Sequence, residues 1–484
     1  MDDARANLTH AMDSGHRSYA WRERVYEFFV DNSQGLSQST LVPPPPCTMA
    51  GHGVGVKRAE PAVPNERAQN ANGRPFYEIS ATSEKIGKNG SYRVIDNLWF
   101  SRGSFYKIVD PGHPESGSPA ALSSNINLYT IAVDNVTSFI QNTASSRFIQ
   151  GETVLVDFSY FVHPTAIGHW LEYLLPLMSA RRLEGLDASP PEMVIVMHLK
   201  RVFVFEWARA ALGAAFGRDL TKTGAAGLGS AAGIDTETRT LPFPLIFQKE
   251  TSSVWNQIGQ RLEGVGDDEW VCFEKVIVAK DVIDDGPRTA FMDEGGVQDA
   301  RRFRQQMWNM YNVVRSNRTD GTGTGKKRIT LLHKSANRRI RNRASLRGML
   351  AEFGEVNEVE LTEAVPMASQ IRIIANTDIL VSTHTSGLAN AVFLPPGALV
   401  VELRHRNFLE DMERTFEMQI KSLMDVRWIG WKAMDIVYLH EDDERKFKAW
   451  GTTCDVDECV EAHTLVDIIV DVDAVRELIV RNSL

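Results

Sequence analysis

Residues 378–390 read DILVSTHTSGLAN, and residues 393–402 continue with FLPPGALVVE. The first run is an apolar strand that ends in a short polar turn, and the pattern predicts a helix from Gly387. This order brings backbone N–H groups and the positive end of the helix to the carboxyl edge of the strand, where they suit a diphosphate. Thr385 and Ser386 add hydroxyl donors. The alternative is a helix cap by one of these two side chains with no ligand.

The residues on either side of this segment alternate between strands and helices. In the first half of the chain, strand 193–197 lies between helices 169–183 and 203–216, which predicts a parallel layer. Two successive halves of this kind predict an α/β protein with two Rossmann-like domains that face a cleft. In the second half, strands are predicted at 328–333, 356–361, 378–383 and 398–403, and helices at 343–353, 367–376 and 387–393.

Composition divides the chain into five regions. At 484 residues it exceeds what one hydrophobic core usually supports. A proline block at 43–46 predicts an extended spacer, and a Gly and Thr-rich stretch at 317–325 predicts a hinge. The regions are a peripheral N-terminal segment at 1–75, a first Rossmann-like domain at 76–316, the hinge at 317–327, a second Rossmann-like domain at 328–444, and a tail at 445–484 that packs back.

Charge and hydropathy exclude several classes of protein. The formal net charge of -9 argues against a general polyanion binder, so no nucleic-acid partner is expected. No run of about 18 apolar residues occurs, and no membrane span is predicted. The start, MDDAR, lacks the apolar core of a signal peptide, and the sequence leaves the location open: cytoplasmic is expected unless a signal or anchor lies upstream. If an upstream signal or anchor precedes this sequence, the lumen of the secretory pathway is expected instead. Only then would the sequons matter, at Asn7, Asn89, Asn135 and Asn317.

Neither the cysteines nor the acidic pairs predict a metal site. The chain has four cysteines, too few for a disulfide scaffold, and none has the spacing of a tetrahedral zinc site. Cys454 and Cys459 form either a local disulfide or two free thiols. One Asp-x-Asp pair, Asp455 with Asp457, lies in a charged loop. The other pair, Asp471 with Asp473, lies at a predicted helix start, where acidic residues are favoured anyway.

A basic loop, residues 334–342, follows the predicted strand 328–333. The carboxyl end of this strand lies at the same sheet edge as the polar turn after strand 378–383, so both are expected to converge on one anion. Guanidinium groups match phosphate oxygens in geometry and charge. The loop therefore supplies candidate phosphate ligands at Lys334, Arg338 and Arg339, and a solvated basic loop is the alternative.

The segment 378–402 resembles glycosyltransferase family 61, whose members carry His-Gly-Ala-Gly-Leu-x-Asn after a strand, then Phe-hydrophobic-Pro-Pro-Gly and a strand ending in Glu. The chain departs from this pattern at Thr385 and Ser386, where Gly-Ala is usual. The resemblance implies that Glu402 binds ribose hydroxyls, and an ion pair with Arg404 or Arg406 is the alternative. The family positions that it keeps are His384, Gly387, Leu388, Asn390, Phe393, Pro395, Pro396, Gly397 and Glu402.

Three further segments are similar to the same family. The basic loop matches an element that ends in Arg-Arg-Ile-x-Asn, which adds Asn342 to the implied donor-binding residues. The family's first arginine in this loop is Lys334 here, which keeps the charge but loses the bidentate fork. Weaker matches are DNLWF at 96–100 with GSFY at 103–106, and GHWLE at 168–172.

The resemblance implies a two-domain, GT-B type glycosyltransferase, with the acceptor in domain 76–316 and a nucleotide-sugar donor in domain 328–444. It implies inverting transfer, without metal or other cofactor, from a donor expected to be a UDP-sugar to a hydroxyl group of a glycan or glycoprotein. The alternative is a catalytically silent protein that binds a nucleotide or glycan, because Thr385, Ser386 and Lys334 depart from the family pattern.

Inverting transfer requires a general base for the acceptor hydroxyl. His169, at the start of a predicted helix, is one candidate because an imidazole titrates near neutral pH. The carboxylates of Asp157 and Glu172 are equally good candidates. The sequence leaves the choice among these three open.

Overall fold

The computed structural model describes residues in nineteen stretches, and all of these residues except Cys459 belong to one compact unit formed by residues 79–453 and 462–484. The predicted peripheral segment and most of the hinge lie outside the described residues. The described stretches are 81–87, 92–101, 104–110, 120–123, 126–135, 139, 146–157, 167–197, 206–217, 245–247, 270–279, 294–313, 326–362, 364–406, 416–417, 423–448, 459, 462–463 and 465–482.

The first half forms a mixed nine-stranded sheet in the order β4-β5-β3-β2-β9-β6-β7-β8, with β1 paired to β2. Strands β6, β7, β8 and β9 run parallel to one another, but β2 is antiparallel to β1, β3 and β9. The strands are β1 (Ser83–Ile86), β2 (Tyr92–Ser101), β3 (Ser104–Val109), β4 (Ala120–Ser123), β5 (Ile126–Ala132), β6 (Ser146–Asp157), β7 (Met193–Met197), β8 (Leu245–Phe247) and β9 (Trp270–Ala279).

The prediction of a parallel layer in the first half is therefore only partly right. Two residues separate β2 from β3, and a connection this short can join only antiparallel neighbours. The family-like segments 96–100 and 103–106 fall on this hairpin. Their large side chains are buried, since Leu98, Trp99, Phe100 and Phe105 are at most 1% exposed, so these residues build the core.

The second half forms a five-stranded parallel sheet in the order β11-β10-β12-β13-β14. In an open sheet of this order, the connections after β10 and β12 leave toward opposite faces, and ligands bind in the crevice between them. The strands are β10 (Lys327–Leu332), β11 (Gly354–Val359), β12 (Ile379–Thr383), β13 (Leu399–His405) and β14 (Arg427–Ala433). Each of the four predicted strands here is found within two residues of its predicted bounds.

The predicted helix after the polar turn is a 3-10 helix, Ser386–Phe393, and not an α-helix. Leu388 donates its backbone N–H to the carbonyl oxygen of Thr385 at 2.8 Å, the short-range bond of the tighter helix. Pro395 and Pro396 follow at once and have no N–H to continue a helix.

Helices fill the space between the two separate sheets and share one apolar core. This core joins Trp170 and Leu174 of the first half to Ile371 and Phe393 of the second. The α/β class predicted from the sequence is confirmed. The helices are α1 (Ile167–Leu183), α2 (Glu206–Phe216), α3 (Glu294–Met310), α4 (Arg343–Leu350), α5 (Met367–Ala375), α6 (Glu441–Phe447) and α7 (Val472–Asn482).

The opposite face of the second sheet is covered by α4 and α7, where Leu346 packs with Val475 and Ile479. A short antiparallel pair, β15 (Asp435–Val437) and β16 (Asp467–Ile469), precedes α7. Within the described stretches, no helix is both long enough and apolar enough to span a membrane. Cys459 is disulfide-bonded and Cys272 is a buried free thiol.

Candidate functional site

The basic loop after β10 meets the turn after β12 at the carboxyl edge of the second sheet. Arg338 donates from Nη1 to the main-chain carbonyl oxygen of His384 at 3.0 Å. The backbone of Arg338 has φ +52, the left-handed region, which costs a non-glycine residue about 1 kcal/mol. Residues held in this region cluster at binding and active sites. The contact lies at the crevice between β10 and β12, where the strand order predicts a ligand.

Two cations of the basic loop lie close together in partly desolvated surroundings. Burial and the nearby charge of Arg338 lower the pKa of Lys334, and Glu360 partly offsets this effect. Burial lowers the pKa of Arg338 to about 10, so its guanidinium remains charged at neutral pH. An anion bound between these side chains would relieve both the desolvation and their mutual repulsion.

His384 is tied to a fully buried carboxylate. Its Nδ1 atom hydrogen-bonds to Oε1 of Glu402, whose side chain is 0% exposed. The other carboxylate oxygen of Glu402 accepts hydrogen bonds from Arg404, at 2.6 Å from Nε and 2.5 Å from Nη2. Glu402 thus forms an ion pair with Arg404, which is the alternative to ribose binding, and its side chain has no exposed surface that a ribose could contact.

The electrostatic surroundings keep the His384 ring neutral at neutral pH. Burial lowers the pKa of His384, and the charges of Arg338 and Arg404 lower it further. The hydrogen bond and charge of Glu402 oppose this shift without reversing it. The ring also lies against Phe416, with 4.7 Å between ring centroids.

The turn after β12 offers a ligand fewer backbone N–H groups than the sequence predicts. His384 donates its N–H to the carbonyl of Leu403, so this amide is used inside the protein. Thr385 is buried in an extended conformation, and Ser386 is exposed. A Cβ atom added to Gly387 would meet nothing closer than 3.6 Å, so space alone does not require a glycine there.

Arg339 and Asn342 of the basic loop point away from the turn and hold the C-terminal tail. Arg339 pairs with Asp467 at 2.7–2.8 Å, and Arg341 adds a further contact to the same carboxylate at 3.3 Å. Asn342 donates to the carbonyl of Val470 at 2.7 Å and accepts from its N–H at 2.9 Å. These contacts attach the tail to the loop and leave Arg338 as the loop's cation at His384, with Lys334 close to Arg338.

Asn390 faces the interior of the second half. Its side-chain amide donates to Gln370 at 3.3 Å and to the carbonyl of Gly387 at 3.2 Å, and it is only 4% exposed. Asn390 therefore fixes the start of the 3-10 helix from within.

The three candidate bases lie on two elements of the first half. Asp157 is the last residue of β6 and His169 is the third residue of α1. Glu172 is on the same helix and is 6% exposed. Helix α1 packs against the 3-10 helix that follows the His384 turn, so the structure brings the element that carries two candidates to the candidate donor site.

Two residues at the end of β13, Arg404 and His405, lie near His384 and were not predicted from the sequence as ligand-binding residues. Arg404 follows Glu402 by two residues, the spacing that places side chains on one face of a strand. His405 is buried, and burial followed by the charges of Arg338 and His463 lowers its pKa well below the usual value. Their position at the carboxyl end of a central strand was the signal that could have found them.

Among the residues that the structure describes, no three His, Cys, Asp or Glu side chains lie close enough together to hold a metal ion. The acidic pair at the start of α7 has local partners. Asp471 accepts the N–H of Ala474 at 3.0 Å, as a helix cap does, and Asp473 pairs with Arg476. Asp455 and Asp457 lie outside the described residues.

Comparison with known proteins agrees with the sequence motifs. A family model described as Glycosyltransferase 61 matches residues 167–401. Protein O-linked-mannose beta-1,4-N-acetylglucosaminyltransferase 2 from Canis lupus familiaris is 29% identical over 151 residues, which are 31% of this chain and 25% of that protein. The EGF domain-specific O-linked N-acetylglucosamine transferase of the same species is 31% identical over 143 residues, which are 28% of this chain and 25% of that protein.

The match confirms the resemblance to glycosyltransferase family 61. The matched range begins at α1 and ends inside β13, so it includes Lys334, Arg338 and His384. The aligned stretch spans about a quarter of the length of the curated relatives.

Proposed function

We propose that this chain, whose residues 167–401 carry a glycosyltransferase 61 domain, transfers a sugar from a nucleotide donor to a hydroxyl group of a glycan or protein. The donor occupies the second α/β half, and the acceptor approaches from the first half across a cleft, as in GT-B enzymes. Transfer is inverting and needs no metal.

One observation carries the proposal: Arg338 and His384 come together at the crevice between β10 and β12, inside the matched range. Lys334 adds a second cation close to Arg338. Phosphate recognition requires positive charge and hydrogen-bond donors, and both are provided here on two loops that rigid strands hold in place.

The reaction forms a bond between the acceptor oxygen and the anomeric carbon while the bond from that carbon to the phosphate oxygen breaks. The nucleoside diphosphate leaves with the bonding electrons, and the cations Lys334 and Arg338 stabilise its developing charge. The hydroxyl proton passes to a base among His169, Glu172 and Asp157, two of which lie on α1 beside the 3-10 helix.

The printed names of both relatives specify transfer of N-acetylglucosamine. We therefore propose UDP-N-acetylglucosamine as the first donor to test and a protein-linked hydroxyl or O-mannose glycan as the first acceptor.

The test is release of nucleoside diphosphate over a panel of nucleotide sugars, with each acceptor class added in turn. Turnover above the rate without enzyme, for at least one donor, is expected. A protein that binds UDP but releases none from any donor and acceptor pair is instead the silent binder, an alternative that the substitutions at Thr385 and Ser386 keep open.

A further inference from the structure

The side chains of His384, Glu402 and Arg404 form a linear chain of contacts at the edge of the second sheet. His384 contributes Nδ1, Glu402 bridges with its two oxygens, and Arg404 closes the chain with Nε and Nη2 at 2.6 and 2.5 Å. Arg404 is itself held by Glu417 at 3.4 Å and lies 5.8 Å from the ring of Trp428. Glu402, the middle member, is fully buried, and the backbone carbonyl of His384 accepts a hydrogen bond from Arg338 of the basic loop.

The hydrogen bonds of Glu402 determine which ring nitrogen of His384 carries the proton. A carboxylate that accepts two hydrogen bonds from a guanidinium is ionised and offers only lone pairs to its other neighbour. The Nδ1 atom must then donate, and in a neutral imidazole the remaining nitrogen, Nε2, holds the lone pair. The charged groups that act on this ring are Glu402, Arg404 and Arg338, with His405 nearby.

We propose that Glu402 and Arg404 are positioning residues that hold His384 as the neutral, Nδ1-protonated tautomer, so that its Nε2 accepts a hydrogen bond from a hydroxyl group of the bound nucleotide sugar. The assignment of the hydroxyl rests on the proposed function, whereas the tautomer does not. The neighbouring cations Lys334 and Arg338 donate only, and they suit phosphate oxygens. A site that has hydrogen-bond donors beside one acceptor nitrogen suits a ligand in which a phosphate lies next to a hydroxyl group.

The Glu402→Gln variant should exchange the tautomer of His384. The two donors of Arg404 require an acceptor, so they take the carbonyl oxygen of the new glutamine. Its NH₂ group then faces Nδ1 of His384 and donates, which moves the ring proton to Nε2. A role of Glu402 in packing alone would not exchange the tautomers.

The experiment is a long-range ¹H–¹⁵N correlation spectrum of the full chain labelled at histidine, with the His384 signal assigned from the His384→Asn variant. The wild-type protein at pH 7.5 should show neutral His384 with the proton on Nδ1, and Glu402→Gln should show it on Nε2. Glu417→Gln is the matched control, because it removes the other carboxylate beside Arg404 and should leave the tautomer unchanged. An Nε2-protonated or doubly protonated ring in the wild-type protein overturns the proposal, even if Glu402→Gln does not fold.

Calorimetry with UDP and with UDP-N-acetylglucosamine then identifies which hydroxyl group of the ligand contacts Nε2. Loss of one hydrogen-bond acceptor should weaken binding to Glu402→Gln about tenfold. Weaker binding of both ligands indicates a ribose hydroxyl, and weaker binding of the nucleotide sugar alone indicates a sugar hydroxyl. Unchanged or tighter binding of both ligands refutes the acceptor role of Nε2. If neither ligand binds the wild-type protein, the proposed function fails, and the spectrum still decides the positioning role.

Discussion

The Nη1 atom of Arg338 lies 3.0 Å from the carbonyl oxygen of His384, a residue 46 positions later in the chain. This hydrogen bond fixes the basic loop against the turn after β12, and it uses one guanidinium nitrogen while directing the positive charge to the turn. Residues matched by the family model thus meet at the crevice that the strand order creates.

Replacing Arg338 should weaken UDP binding or turnover by roughly ten- to a hundredfold, because a charge-assisted hydrogen bond to phosphate is worth about 1.5–3 kcal/mol. Arg338→Asn is the sharper variant, since asparagine tolerates the left-handed backbone better than alanine. Calorimetry with UDP measures the effect. Arg338→Lys should retain part of the affinity, because it keeps the charge without the fork.

Arg341→Ala is the matched control for this prediction, because Arg341 belongs to the same loop but faces Asp467 of the tail. Its UDP affinity should equal that of the wild-type protein. If Arg341→Ala loses affinity and Arg338→Asn does not, the phosphate contacts belong to the other side of the loop.

Asn342 should contribute to stability and not to donor binding. Its side chain makes two hydrogen bonds to the backbone of Val470, so Asn342→Ala leaves a partly buried carbonyl and N–H without partners. We expect a loss of about 1–3 kcal/mol in the free energy of unfolding, measured with urea. A variant that is as stable as the wild-type protein but no longer binds UDP would return Asn342 to the donor site.

The second sheet was predictable because its signals are local. Apolar runs of five or six residues, each followed by a polar turn and a helical pattern, mark β10 to β13 and their shared carboxyl edge. The antiparallel part of the first sheet was not predictable in this way, because pairing between β2 and β9 joins residues far apart in sequence. Antiparallel strands usually show alternating apolar and polar residues, but β2 is buried along most of its length and does not alternate.

The candidate site shows the same division. Proximity of Arg338 to His384 follows from two strands that end at one edge, and the sequence motifs were sufficient to predict it. The opposite roles of Arg338 and its neighbour Arg339 were not predictable, because the partner of Arg339 is Asp467, 128 residues away. Only the tertiary structure separates the cation at the turn from the one that holds the tail.

Binding of UDP should not require a divalent metal, because Lys334 and Arg338 already supply two positive charges beside the proposed diphosphate position. Calorimetry in EDTA and in excess magnesium should give the same dissociation constant within about twofold. Loss of binding on chelation would contradict the charge argument. It would also return attention to the acidic pair Asp455 and Asp457.

His405 should make the protein less stable in mild acid. Its pKa in the folded protein lies well below 6.5, mainly because the ring is buried, so between that value and about 6.5 the unfolded chain binds more protons. Stability from this group is fully present above about pH 6.5 and falls as the pH decreases, by up to about 1.4 kcal/mol per pH unit. Urea unfolding at pH 7, 6 and 5 measures the slope.

The His405→Phe variant tests the origin of this slope, because it keeps a buried ring that does not titrate. Its unfolding free energy should fall less between pH 7 and 5 than that of the wild-type protein. His440→Gln, at an exposed histidine, should keep the wild-type slope. Equal slopes for His405→Phe and the wild-type protein would assign the acid sensitivity to other groups, His384 first among them.

Arg304 should be the strongest single polar contributor to the association of the two halves. It extends from α3 to donate to the carbonyl of Leu394 at 2.9 Å and to both oxygens of Asp425, at 2.9 and 2.5 Å, and its side chain is only 5% exposed. Arg304→Met leaves the buried carbonyl of Leu394 without this donor and removes one of two arginines from Asp425, which also pairs with Arg301 at 3.3 Å, so we expect a loss of about 1.5–3 kcal/mol. Arg302→Met on the same helix is the control, because Arg302 is 35% exposed, its contacts with Asp187 and Asp299 are 3.8 and 3.4 Å long, and Asp299 keeps its ion pair with Arg182, so the loss should be about 0–1 kcal/mol. Because the halves share one core, both variants should still unfold in a single transition by urea. Two separate transitions in Arg304→Met would show that the apolar core alone does not hold the halves together. Equal losses in the two variants would show that the ion pair between Arg304 and Asp425 contributes nothing beyond that core.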